Sequence, residues 1–234
     1  MKSKLDRDFF ERPAVEVAPD LLGKIIVRKI GNKTISGKIV ETEAYVGEED
    51  LASHARNGKT ERNKVMYSRG GLVYIYLIYG MYYNFNIVAA KEHVPEAVLI
   101  RALEPIDGLG LAKQNLKKFG RVRADKDFMR GPGKLCAALD LDKLLYGEDI
   151  TNSEKIWVED SSPFCHSDLT RPARRGRLRE VTSGGIPYTE KFEIETSKRI
   201  GIDYADIYRN KLWRYTIKGN KFVSKYKEPG VRSF

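Results

Sequence analysis

A chain of 234 residues, 41% hydrophobic and 32% charged, can bury one sizeable core, which excludes a wholly disordered polypeptide. Lys and Arg number 42 against 32 Asp and Glu, and the net charge of +10 favours phosphate-rich partners, although a merely basic surface would read the same. Two cysteines, Cys136 and Cys165, support neither an iron–sulfur cluster nor a disulfide framework, and with no membrane-length apolar run and no signal-peptide core the expected compartment is the cytoplasm, with no membrane partner.

In chain order, residues 12–23 predict a short helical start closed by Gly23, with Pro19 arguing against one long helix. Residues 24–30 and 34–45 read as strands flanking Gly31-Asn32-Lys33, hence a β-hairpin. Period-two alternation puts Glu41, Glu43 and Tyr45 on one face. That face is either solvated or the wall of a polar cleft, and for acids on strands the solvated surface is the expectation. Residues 50–63 then form a polar connection carrying His54. Neither His54, His93 and His166 nor the cysteines show metal-ligand spacing, so no metal is expected.

Residues 70–88 are two runs rich in Val, Ile and Tyr, preceded by Gly70-Gly71 and reversing at Tyr79-Gly80-Met81. A tip of this composition is either packed into the core, the commoner fate of aromatics, or an exposed wedge for a stacked partner such as DNA bases. Residues 96–105 predict a strand stopped by Pro105. Arg101 interrupts its apolar run, and it either pairs with Glu41 or Glu43 or alternates out to the surface. Residues 109–119 have helical spacing. The helix opening at Gly131-Pro132-Gly133-Lys134 offers free N–H groups and Lys134 to a phosphate, without Walker spacing.

Residues 155–159 predict a short strand. Between 161 and 191, Arg171, Arg174, Arg175, Arg177 and Arg179 crowd into a basic loop that either tracks a nucleic-acid backbone or is only solvated. Strands are expected again over 194–202, 212–217 and 222–226. The reading is α+β: a single domain over 1–234, with a basic insertion around 160–196. Its core would be a curled, mostly antiparallel sheet with a protruding β-hairpin and flanking helices.

Glu41-Thr42-Glu43-Ala44-Tyr45, His54, Arg62-Asn63, Tyr76 to Met81, Asn86, Arg101-Ala102-Leu103-Glu104-Pro105, Gly131-Pro132-Gly133-Lys134-Leu135 and Arg199-Ile200-Gly201-Ile202-Asp203 follow one another in a familiar order. The chain resembles the alkyladenine (3-methyladenine or methylpurine) DNA glycosylases over about residues 8–158 and 197–226. It departs from them in the length of the basic segment. Asp206 and Leu212 also stand where members often carry glycine and proline.

The resemblance implies a monomeric, monofunctional base-excision repair enzyme that flips alkylated or deaminated purines out of double-stranded DNA and hydrolyses the N-glycosidic bond, with no cofactor and no metal. Glu43 would be the base that activates water, with Arg101 and the carbonyl of Ile200 helping to hold that water. Tyr45, His54 and Tyr76 would enclose the flipped base. Asn86 would act as a steric filter, and Tyr79, with Met81 beside it, would enter the duplex. The runner-up is a nucleic-acid-binding module on the same scaffold without chemistry; a metal-dependent nuclease lacks a ligand cluster.

Overall fold

The computed structural model describes residues 3–118, 128–160 and 192–224. Asp6 accepts from the N–H of Phe9 and caps a one-turn helix, α1 (Arg7–Phe10), whose two phenylalanines are buried. Helix α2 (Ala14–Asp20) ends where Gly23 takes φ +83°, close to the predicted stop. The sheet then begins with β1 (Ile25–Ile30) and β2 (Lys33–Val46), the hairpin read from the sequence.

Six further strands follow: β3 (Val73–Ile78), β4 (Tyr82–Ala89), β5 (Glu96–Asp107), β6 (Ile156–Glu159), β7 (Ile194–Ser197) and β8 (Arg214–Ile217). The main path is β3-β4-β5-β2-β1-β6, and every pairing is antiparallel. The resulting curled sheet in one α+β domain agrees with the predicted class. The fourteen residues of β2 are its axis. One edge follows β5 from Ser36 to Val46, while the other pairs first with β1 and then, at Glu41 to Glu43, with β8.

Two register irregularities between β2 and β5 decide which side chains face the core. Ile39 pairs Leu103 and Glu41 pairs Ala102, which leaves Val40 as an extra residue on β2. Thr42 then pairs Ile100, leaving Arg101 as an extra residue on β5. Each bulge shifts the alternation by one. Before it, Ile35 and Ile39 point into the main core; after it, Val40 and Ala44 do. Glu41, Glu43 and Tyr45 are thereby turned to the opposite face, away from α2.

The main core lies between that apolar face and the helices, where α2 packs on β2 and β5. Helix α3 (Leu109–Lys118) lies outside α4 (Pro132–Ala138), which packs on β4 and β5. Asn115 of α3 donates to the carbonyl of Ala138 across the contact between these two helices. Two expectations need correction. Strand β5 continues through Pro105 to Asp107, because Pro105 sits opposite Gly37 at a further irregularity, where a missing N–H costs the ladder little. The last strands are shorter than expected: β7 stops at Ser197, β8 begins at Arg214, and residues 222–224 are not a strand, while 225 and 226 lie outside the described residues. No helix among the described residues is long and apolar enough to cross a membrane.

Candidate active site

On the opposite face of the sheet lies a cavity of about 610 Å³. Its floor comes from directly opposed residues of β3 and β4: Tyr74 faces Asn86 and Tyr76 faces Asn84. Tyr45, His54, Arg101 and Ile200 complete the wall, so the predicted pocket residues and two of the predicted helpers converge. The rings make a connected set, with His54 edge-on to Tyr76 at 4.4 Å and Tyr76 tilted against Tyr74 at 5.2 Å between centroids.

Glu43 lies behind this wall and is fully buried, as is Glu41. The expectation of a solvated acidic face is therefore wrong: the bulge at Val40 turns both carboxylates into a closed polar layer. Burying two anions is tolerable only with paired cations and satisfied lone pairs. Glu41 accepts from Arg214 Nε at 2.7 Å, Arg101 Nε at 3.2 Å and the N–H of Ser224 at 2.7 Å. Glu43 accepts from the N–H of Ile200 at 2.7 Å on one oxygen, and from Arg101 Nη1 at 3.1 Å and the Tyr45 hydroxyl at 3.0 Å on the other. Arg101 is thus a buried partner of both acids, not a surface residue. Ile200 meets Glu43 through its N–H.

Ile200 is held in place by an ion pair that sequence reasoning missed. Arg199 and Asp50, neither with any exposed side-chain surface, form a two-pronged ion pair. Arg199 also donates to the carbonyl of Ala44 at 2.9 Å. Its guanidinium lies near the rings of Tyr45 and Trp213, at 4.7 and 5.0 Å from their centroids. This clamp fixes the segment after β7 against β2. Arg199 stands in the motif that carries the resemblance, but only the fold brings Asp50 to it.

His54 Nδ1 lies 2.6 Å from the Tyr74 hydroxyl. Burial against the tyrosines, then Arg62 and Arg56, lower its pKa to about 4, so the imidazole is neutral near pH 7. Burial, reinforced by Glu43, raises the Tyr45 pKa well above its ordinary value and keeps the hydroxyl a donor.

The hairpin tip is exposed, which removes the packed-core alternative. Tyr79 at φ +52° and Gly80 at φ +67° form a two-residue reversal closed by the Met81 N–H on the carbonyl of Ile78. Both central residues need positive φ, which glycine adopts freely and tyrosine rarely. Tyr79 is 85% exposed and Met81 61%, and Tyr79 also lines the cavity mouth. Gly133, on the opposite lip, permits close approach to Tyr82, since a Cβ there would lie 3.1 Å from the Tyr82 ring. Lys134 follows it, exposed. Arg62 lies over Tyr76, and Arg56 over Tyr204, so two cations flank the mouth. Arg171, Arg174, Arg175, Arg177 and Arg179 lie outside the described residues, as do Cys165 and His166. No cluster of His, Cys, Asp or Glu suited to a metal occurs among the described residues.

The site is thus an aromatic cavity backed by a buried carboxylate, under a projecting aromatic tip and with cations at its mouth. The model of the methylpurine-DNA glycosylase family matches residues 8–221, and the chain belongs to that family. A Clostridium perfringens protein named "putative 3-methyladenine DNA glycosylase" is 43% identical over 227 residues, covering 95% of this chain and 99% of its own. Relatives of the same name from Natranaerobius thermophilus and Desulfitobacterium hafniense are 42% and 39% identical, each covering 94% of this chain and 98% of their own.

Proposed function

We propose that this chain is a monofunctional, purine-specific DNA glycosylase, acting as a cytoplasmic monomer on alkylated or deaminated purines in double-stranded DNA. The observation that carries the reading is Glu43, a buried carboxylate held by three donors at the root of an aromatic cavity. A nucleic-acid-binding module would gain nothing from a carboxylate beside phosphates.

The glycosidic carbon is hidden inside a duplex, so the nucleotide must first be extruded at a cost of a few kcal/mol. Tyr79, projecting from the hairpin, fills the vacated stack. The extruded purine enters the cavity among Tyr45, His54 and Tyr76, with Asn86 below it as the steric filter. A purine nucleotide alkylated at N3 or N7 is cationic, and aromatic faces favour it over a neutral base. As the bond from C1′ to the purine breaks, its electron pair leaves with the base and the sugar becomes oxocarbenium-like. Water then attacks C1′ and gives its proton to Glu43.

Arg101 and Ile200 hold the carboxylate for that step, and the carbonyl of Ile200 helps hold the water. Arg171, Arg174, Arg175, Arg177, Arg179 and Lys134 supply backbone contacts. The test is an assay on duplexes carrying hypoxanthine or methylpurines, with EDTA present. Base release without strand cutting supports the reading; binding without release selects a binding module, and EDTA-sensitive nicking a nuclease.

A further inference from the structure

We propose that Asn84 is a specificity-determining residue that reads the edge of the extruded purine together with the Tyr76 hydroxyl. Asn84 is 6% exposed, stands directly opposite Tyr76 in the β3–β4 register, and lines the cavity. Its amide Nδ2 donates to the Tyr76 oxygen at 3.3 Å. That bond occupies a lone pair on the tyrosine and leaves its O–H proton to be donated elsewhere. Burial raises the Tyr76 pKa, so the proton stays in place and the hydroxyl is a donor throughout the neutral range.

Among the described residues no hydrogen bond to the Asn84 side-chain oxygen is formed, and at the cavity wall it is an acceptor open to a ligand. The floor therefore presents a donor and an acceptor side by side. Its complement is a base edge with an acceptor next to an N–H. Adenine-type bases offer N1 and the 6-amino group; hypoxanthine offers O6 and N1–H. A purine whose N1 is capped, such as 1,N6-ethenoadenine or 1-methylhypoxanthine, has no N–H for Asn84. Asn86, one rung further along, already gives its amide N–H to the carbonyl of Tyr74 and lies opposite Leu99 of β5. Asn84 is thus the amide paired with the hydroxyl.

This assignment rests on the glycosylase reading, and the experiment separates the two. Single-turnover release of hypoxanthine and of the two capped bases is measured for the unaltered chain, Asn84→Leu and Asn84→Asp. Each variant is judged by the ratio of its hypoxanthine rate to its rate on each capped base, which does not depend on its folded fraction. Asn84→Leu should lower hypoxanthine release by about ten- to hundredfold relative to a capped base, the scale of one unsatisfied buried polar group. Asn84→Asp, which keeps an oxygen acceptor, should hold the ratio close to that of the unaltered chain. If the unaltered chain releases hypoxanthine but neither capped base, Asn84→Leu must remove most of the hypoxanthine activity. Equal losses on all bases, or no loss, overturn the assignment alone. An unaltered chain that releases no damaged base overturns the glycosylase reading and this assignment with it.

Discussion

Asp50 and Arg199 are separated by 149 positions and share no solvent, yet their pair sets where the Ile200 N–H meets Glu43. Asp50→Asn keeps the shape but leaves a buried guanidinium uncompensated, and should cost about 3–5 kcal/mol by denaturant titration. Because the clamp also aims Ile200, excision by the folded variant should fall while duplex binding changes little. His54 gives a second expectation at this scale. Its folded pKa of about 4 lies below the ordinary 6.5, so as pH falls the unfolded chain takes up the proton first. Its contribution to stability is complete above pH 6.5 and is lost as pH drops toward 4. Imidazole titration by NMR should place the His54 midpoint near 4, well below the ordinary value.

Among the elements, the β3–β4 hairpin was the most legible in the sequence. Two runs rich in Val, Ile and Tyr and a glycine at the reversal gave both strands and the turn without tertiary information. Whether the tip is buried was not legible, since exposure depends on what else packs nearby. Strand β2 shows the opposite limit. Period two correctly grouped Glu41, Glu43 and Tyr45, but the bulge at Val40 that turns them away from α2 has no local sequence signal. Nor could spacing reveal that Glu41 is satisfied by Arg214, 173 positions away. Asp206, where the resemblance led to the expectation of glycine, takes φ +45°, a region that glycine adopts more readily than aspartate. Tyr79→Ala tests the hairpin as an element. Stability should stay within about 0.5 kcal/mol, as for other exposed positions. Excision should fall most for well-paired lesions, since the forfeited stacking is worth about 1–3 kcal/mol. A loss of stability typical of a buried aromatic would contradict the exposed tip.

For the molecule as a whole, a net charge of +10 predicts duplex binding that weakens steeply with salt. If Arg171, Arg174, Arg175, Arg177 and Arg179 touch phosphates, replacing them with alanine should flatten the log–log salt dependence by about 0.9 for each phosphate no longer neutralised, equally for damaged and undamaged duplexes. An unchanged slope would leave those arginines merely solvated. The proposed function assigns binding and chemistry to different parts of this chain, with charge and hairpin engaging the duplex and one buried carboxylate acting on it. The most direct measurement is therefore single-turnover excision and duplex affinity for Glu43→Gln, with a thermal melt to establish folding. Glutamine keeps the size and most hydrogen bonds but cannot take a proton. Excision should fall by roughly 10²–10⁴-fold, the scale of a missing general base, while affinity for the damaged duplex persists. Excision at the unaltered rate by the folded variant would contradict the account.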